Sequence, residues 1–348
     1  MSRYQRQILL PQIGEAGQEK LAAARVLLVG CGALGGNIAE QLVRAGVGFL
    51  RLVDRDIVEL TNLQRQVLFD ENQVRTAWPK AAAAAERLAA INSSVEVDAH
   101  ILDVHAGNIE MLAGVDGELP GGPVHLILDG TDNVATRYLI NDVAVKHGIP
   151  WVYGACVGME GRVMAVKSSE SACLRCVFPT PPRAEELATC DTAGVLGAAA
   201  AVVASLQVVA AIKILTGRLE SQADELVSMD LWTGRFHRTS LTDAKRVDCV
   251  CCGVRRFDFL AQARGDSSVT LCGRDAVQVA GRCRIDLDQF ASRWESAGRV
   301  ERNRFFLRCR LVEPANVCLT LFADGRLIVQ GMRDVTRAKS IYARFVGA

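Results

Sequence analysis

Residues 26–36 read VLLVGCGALGG, and no other run constrains the fold of this chain as strongly. Four apolar residues lead into Gly30-Cys31-Gly32-Ala33-Leu34-Gly35, the pattern of a buried strand that turns on glycines into a helix. Gly30, Gly32 and Gly35, with Ala33 between them, let the backbone turn sharply and bring its amides up to a phosphate at the helix N-terminus. The glycines alone do not say whether that phosphate belongs to NAD or to ATP.

The first 150 residues continue the same alternation. Strands are expected at 26–31, 49–53, 95–100, 125–129 and 151–153, and helices at 34–45, from Pro79-Lys80 to Ile91, and at 137–147. This predicts an α/β fold, Rossmann-like and doubly wound, with a mainly parallel sheet covered on both faces. Half of the 348 residues are apolar, 23% are charged and the net charge is +1, which fits a globular protein and argues against a general nucleic-acid or anionic-membrane binder. The apolar run from Ala193 to Ala211 is long enough to resemble a membrane span, but it carries Ser205 and Gln207 and leads into Lys213, so it reads as a buried helix. The opening MSRYQRQILLPQIG has too short an apolar stretch for a secretory signal, and a cytoplasmic location is expected.

The residues after the glycine loop bear on the choice of nucleotide. Asp54 follows Gly35 by 19 residues, at the end of the second strand, where a carboxylate accepts from ribose hydroxyls. Arg65 and, 15 residues later, Lys80 add two cations, more than a dinucleotide diphosphate needs. They suit a triphosphate whose pyrophosphate departs with growing negative charge. Asp132, in the Gly130-Thr131-Asp132-Asn133 turn past the next strand, is a candidate Mg²⁺ ligand at the carboxyl edge of the sheet.

Twelve cysteines without an export signal point to metal ligation and thiol chemistry before disulfides. Cys173-Leu-Arg-Cys176 and Cys249-Val-Cys-Cys252 form two CxxC knuckles 72 residues apart, the pattern of a closed tetrahedral zinc site of four thiolates with a structural role. Cys251 lies within the second knuckle, while Cys31, Cys156, Cys283, Cys309 and Cys318 read as small core residues. Cys190, in Thr189-Cys190-Asp191-Thr192-Ala193-Gly194, is expected to open the long apolar helix, where the helix dipole favours thiolate.

Taken in order, RYQRQ at 3–7, VGCGALG at 29–35, the VDRDxVExTNLQRQ pattern at 53–66, PK at 79–80 and DGTDNxxTR at 129–137 resemble one family, the ubiquitin-activating-type adenylyltransferases of the ThiF/MoeB/HesA group. The resemblance spans residues 3–253. It implies ATP-dependent adenylation of the C-terminal glycine of a small ubiquitin-like sulfur carrier, ThiS- or MoaD-like and ending in Gly-Gly, ahead of thiocarboxylate formation. It implies ATP, Mg²⁺ and Zn²⁺ as cofactors, and a nucleotide site of Gly30, Gly32, Ala33, Gly35, Asp54, Asp56, Thr61, Asn62, Arg65, Lys80, Asp132 and Asn133. It also implies a homodimer in which Arg6 reaches the partner's site, and a covalent role for Cys190. Ala33 departs from relatives with a third glycine there, and a methyl at that point leaves backbone contact with phosphate open.

Domains are expected at 1–254, the adenylation unit with its zinc site, and 255–348, a small α+β unit. The second holds helices at 288–297 and 334–345, strands at 305–311, 317–322 and 327–330, and an Asp324-Gly325 turn between the last two. It does not resemble a sulfur-accepting rhodanese domain, so a separate donor such as a cysteine desulfurase is expected, and Cys272 beside Gly273 and Arg274 reads either as a thiol poised by a cation or, more simply, as a core residue beside a turn. Two rival readings are an NAD-dependent oxidoreductase and a non-catalytic, zinc-stabilised scaffold for a ubiquitin-like protein.

Overall fold

The structure is a computed structural model that describes residues 3–167, 171–182, 190–218, 224–262, 269–271, 275–281 and 285–347. The chain divides into two compact units, Met1–Ala263 and Arg264–Ala348. Phe257, Phe259 and Leu260 pack against the core of the first unit, so the division falls beyond residue 254, where the shift in composition placed it.

The first unit is built on strands β1 (Arg25–Val29), β2 (Phe49–Val53), β3 (Glu96–His100), β4 (Leu126–Asp129), β5 (Trp151–Val157), β6 (Glu160–Val166), β7 (Glu225–Asp230) and β8 (Arg235–Ser240). They form one sheet in the order β3-β2-β1-β4-β5-β6-β7-β8. The first five neighbours run parallel and the remaining pairs antiparallel. Strand β1 has no polar face to give to water, because Val26 and Leu28 enter one apolar cluster and Leu27 and Val29 the other. The first cluster is closed by helices Ala33–Ala45, Lys80–Ile91 and Gly197–Thr216, and the second by helix Val134–His147 and the cysteine knuckles. Strand order reverses on either side of β1, and ligands of such sheets bind at the carboxyl ends beside that switch point.

The apolar run found in the sequence is helix Gly197–Thr216, long and apolar enough by composition to cross a membrane. It differs from a fully buried helix, since only 39% of its most apolar stretch is covered. Ala199, Val203, Ala204, Gln207 and Ala211 face the sheet, whereas Val202 and Val209 remain 37% and 49% exposed. Strand β5 is longer than the expected 151–153 because it pairs along its whole length with β6, from Trp151↔Val166 to Val157↔Glu160.

The second unit is an antiparallel sheet of β9 (Val269–Leu271), β10 (Ala276–Val279), β11 (Gly298–Arg302), β12 (Phe306–Leu311), β13 (Cys318–Phe322) and β14 (Leu327–Gln330), ordered β11-β12-β13-β14-β10-β9. Helices Leu287–Trp294 and Val335–Phe345 share an apolar core with Leu307, Cys309, Leu319, Leu321, Leu327 and Val329. The Trp294 indole N–H donates to the Phe345 carbonyl at 3.1 Å, joining the two helices. Gly325 turns the β13–β14 hairpin at φ +81°. Cys272 and Cys283 lie outside the described residues.

Candidate active site

The glycine loop is held by backbone contact that tolerates no side chain at its tightest points. Gly30 adopts φ +90°, a β-carbon on Gly35 would overlap the Gly30 carbonyl, and one on Gly130 would stand 2.7 Å from that oxygen. The loop therefore packs directly on the start of the Gly130-Thr131-Asp132-Asn133 turn. Gly32 is the N-cap of helix Ala33–Ala45, and no side chain caps it. The first amides of that helix thus point into the crevice at the carboxyl edge. Ala33 is the first helical residue, so its methyl leaves the backbone of the turn unchanged.

Asp54 closes the loop from the end of β2. Its Oδ2 accepts from the Cys31 amide at 2.7 Å and its Oδ1 from the Asp56 amide at 2.7 Å. Burial pushes the Asp54 carboxyl up, and Lys80 opposes this. Lys80, only 5% exposed, places Nζ 3.0 Å from Asp56 Oδ2, while its own amide donates to the Asp56 carbonyl at 2.8 Å. Pro79, as N-cap, sets the turn that buries this lysine. Burial, then Asp54, pushes the Cys31 thiol well above the ordinary range, so Cys31 is a packing residue rather than a nucleophile.

The segment after β2 folds over the loop. Asn62 is buried, and its Oδ1 accepts from the Glu59 amide at 3.0 Å. Arg65 Nη1 donates to the Thr61 carbonyl at 2.7 Å, and Thr61 is exposed. Gly197 lets the long helix start against this segment, since a β-carbon there would lie 3.0 Å from the Gln64 carbonyl oxygen and 3.3 Å from Arg65 Cα.

On the other side, Asp132 is exposed at the rim, and Asn133 is committed as a helix N-cap, its Oδ1 accepting from the Thr136 amide at 3.1 Å. The turn is anchored by residues the sequence did not single out. Arg137 Nε meets the fully buried Asp129 Oδ2 at 3.0 Å, and Arg137 Nη2 donates to the Thr131 carbonyl at 2.7 Å. Gln207, wholly buried on the long helix, donates to the Asp129 carbonyl at 2.8 Å. Arg137 stands in the DGTDNxxTR pattern, so its signal was present; Gln207 had none beyond being polar in an apolar run.

Two further residues lie outside this crevice, Arg6, which is expected to serve a partner's site, and Cys190. Arg6 sits on the exposed turn Gln5–Ile8 and makes no hydrogen bond or ion pair among the described residues. Cys190 begins a four-residue helix, Cys190–Ala193, and not the long one. Gly194 breaks away at φ +74°, and the Gly158 amide and carbonyl pair with Gly194 and Leu196, so the long helix starts only at Gly197. The dipole argument for a Cys190 thiolate is thereby removed.

Cys173, Cys176, Cys249 and Cys252 bring their sulfurs within 4.8 Å of one another. Contacts of 3.6 Å (Cys173–Cys249), 3.4 Å (Cys176–Cys252) and 3.9 Å (Cys173–Cys176) compare with the edge of about 3.8 Å expected for a tetrahedron with Zn–S bonds of about 2.3 Å. The donor set and its geometry fit zinc. The histidine side chains are engaged elsewhere: His100, whose carbonyl accepts from the Asp54 amide, turns its ring to Asp98, His147 pairs with Glu110, His105 and His125 accept from backbone amides, and His237 is on exposed β8.

The ThiF family profile matches residues 4–251. The chain is 41% identical over 349 residues to the sulfur carrier protein ThiS adenylyltransferase of Bacillus subtilis (strain 168), covering 99% of both chains. It is 39% identical over 259 residues to the sulfur carrier protein adenylyltransferase of Thermus thermophilus, covering 73% of this chain and 91% of that one. The solved structure of E. coli MccB with ATP superimposes with a TM-score of 0.62 at 20% identity, covering 72% of this chain and 75% of that one, a likeness of fold. A glycine loop closed by Asp54, a buried Lys80 beside it and a family match over most of the chain converge, and the chain belongs to the ThiF family.

Proposed function

We propose that this chain adenylates the C-terminal carboxylate of a small ubiquitin-like sulfur carrier ending in Gly-Gly. The observation that carries the reading is Lys80, a buried cation set against Asp56 at the mouth of the glycine loop, 3.0 Å from its carboxylate. A site that only held a nucleotide diphosphate on backbone amides would not need it. The names of the relatives from Bacillus subtilis and Thermus thermophilus support the same chemistry.

In this reading ATP lies with its phosphates on the amides of residues 32–35 and its ribose on Asp54. The carrier's terminal carboxylate, already ionised at neutral pH, attacks the α-phosphorus with no general base. A P–O bond forms to the carboxylate as the bond to pyrophosphate breaks, and Lys80, Arg65 and the Asn62 amide offset the charge that leaves. Asp132 would hold a magnesium ion, which when bound neutralises phosphate charge. Zinc on Cys173, Cys176, Cys249 and Cys252 would pin residues 249–252 to 173–176 and act structurally. The half-exposed outer face of helix Gly197–Thr216, with Leu9 and Leu10 exposed near the N-terminus, supports a homodimer in which Arg6 serves the partner's site. The outer sulfur of a persulfide on a separate donor, such as a cysteine desulfurase, then attacks the acyl carbon and displaces AMP; a thiol, proposed to be that of Cys190, attacks the donor sulfur of the resulting acyl disulfide, releasing the thiocarboxylate and leaving a disulfide between Cys190 and the donor.

The test is exchange of labelled pyrophosphate into ATP with each candidate carrier in turn. Exchange that depends on one carrier, and is lost in Asp132→Ala, supports the reading and identifies the pathway. A zinc-loaded protein that binds ATP yet exchanges with no carrier overturns it.

A further inference from the structure

We propose that Cys251 is a reserve ligand of the zinc site, taking over when Cys252 is lost; the inference rests on zinc occupancy of the cysteine cluster and not on the adenylation reading. The cluster of four does not exhaust the sulfur at this point of the fold. Cys251 is wholly buried, and its sulfur bears on that of Cys173, the one sulfur that the other four all approach. Of the four, Cys252 is left partly exposed, whereas Cys173, Cys176 and Cys249 are buried. A reagent from solvent therefore meets Cys252 first. Cys251 is its chain neighbour on the same short turn, so an exchange between the two leaves Cys173, Cys176 and Cys249 in place.

The surroundings of Cys251 are not those of a residue kept for its size. Its sulfur accepts from Asn141 Nδ2 at 3.2 Å, and the Asp142 carboxylate lies beside it. Asn141 and Asp142 are both wholly buried, and Asp142 Oδ1 accepts no hydrogen bond among the described residues. A cysteine that only packs sits among apolar groups, and buried polar groups are costly unless partnered. A serine hydroxyl would partner both side chains better than a thiol, which is a weak donor and a weak acceptor. What sulfur alone adds is a soft ligand for a metal bound next to it. As a ligand Cys251 binds as the thiolate, and its proton passes to Asp142 Oδ1, the open acceptor beside it. One metal–sulfur bond is given up at Cys252 and one forms at Cys251, so a site of four thiolates is kept.

The full chain, loaded with zinc or with cobalt(II) in its place, tests this. Cys252→Ser should still hold a metal ion in each chain, with the thiolate-to-cobalt charge-transfer absorbance of a four-thiolate site. Cys251→Ser keeps the hydrogen bonds of the thiol and should match the wild type. The double variant should show the weaker absorbance of three thiolates. It should also release zinc to a chelator at least about tenfold faster than Cys252→Ser, since even groups behind the ligands change metal affinity by about 10–100-fold. A three-thiolate spectrum in Cys252→Ser, or equal release from the single and double variants, overturns the proposal. A second measurement needs no change at Cys252. Iodoacetamide alkylates that sulfur with loss of iodide, and mass spectrometry identifies the chains modified there. Wild-type chains so modified should keep their zinc, and Cys251→Ser chains should lose it; the same result in both overturns the proposal. A wild-type protein that takes up no zinc removes the zinc reading and this proposal with it, and leaves the adenylation reading to its own exchange assay.

Discussion

Asn141 ties the two cysteine knuckles together: its Nδ2 donates to the Cys251 sulfur at 3.2 Å while its Oδ1 accepts from the Leu174 amide at 2.9 Å. Cys251 is therefore a hydrogen-bond partner beside the cluster of four. Asn141 is wholly buried on helix Val134–His147, one turn after Arg137, and the adjacent Asp142 accepts from the amides of Phe259 and Leu260. One helix thus bears on the Asp129–Thr131 turn at its start and on both knuckles at its middle.

Asn141→Leu should strand the Leu174 amide and remove one of the hydrogen bonds that hold Cys251. Leaving a buried donor unsatisfied costs about 1–3 kcal/mol, enough to lower the melting temperature by several degrees. The variant should also surrender zinc to a chelator faster than the wild type. Unchanged release and melting would show that the knuckles hold each other without Asn141.

The glycines of the loop are not equivalent, and alanine separates them. Gly35→Ala drives a methyl into the Gly30 carbonyl, a clash with backbone that no rotamer relieves. Gly32→Ala meets only the flexible end of Gln66, at 3.8 Å, and Gly32 has a negative φ of −81°. Gly35→Ala should yield little folded protein or lose ATP binding outright, whereas Gly32→Ala should fold and bind. Circular dichroism with equilibrium ATP binding checks both, and equal tolerance would mean that the loop relaxes freely.

Features carried by local pattern could be read from the chain itself. Strand β1 announces itself as an unbroken apolar run, and the glycine loop and cysteine knuckles by spacing alone. The β5–β6 hairpin was missed at its far end because Gly154 and Gly161 interrupt the apolar pattern. Those glycines are required by packing, since β-carbons there would overlap Gln207 and Val203 of the long helix. Asn141 and Gln207 were missed for another reason: their partners, Cys251 and Asp129, lie 110 and 78 residues away. Cys190 was misplaced because an alanine-rich run hides the break that Gly194 and the pairing with Gly158 introduce.

Acid should expose the ion pair behind β2. Asp98 lies 3.0 Å from His100 Nε2 and 2.7 Å from Arg51 Nε, and the His100 hydrogen bond first, then Arg51, lower its carboxyl to about 2. A folded-state value below the unfolded one, about 3.9, means stability that is present above about pH 4 and lost as pH falls through about 2. Asp98 is about a third exposed, so the discounted contribution is about 1 kcal/mol. Asp98→Asn should be less stable than wild type at neutral pH, and the gap should close on acidification. Urea unfolding of both proteins across that range checks this, and a gap independent of pH would mean the carboxylate's charge contributes nothing.

Lys80 offers the sharpest test of the site's electrostatics. Its side chain is 6% exposed, so the charge is screened little by salt, and it faces Asp56 with Asp54 close behind. Lys80→Met leaves two carboxylates at the mouth of the loop without that compensation, just where phosphates would arrive. Burial already pushes the Asp54 carboxyl up, and losing Lys80 removes the nearby positive charge that opposes this, so Asp54 should take a proton more readily. The exchange rate should fall by about 10²–10³-fold, the scale seen when one preorganised charge donor is removed. Lys80→Arg restores the charge but forks it into a planar group, and should recover only part of the rate. Asp56→Asn, which frees Lys80 from its carboxylate, should leave ATP binding in place. If Lys80→Met exchanges as fast as the wild type, the lysine serves only to neutralise Asp56, and the charge for the departing pyrophosphate must come from other groups.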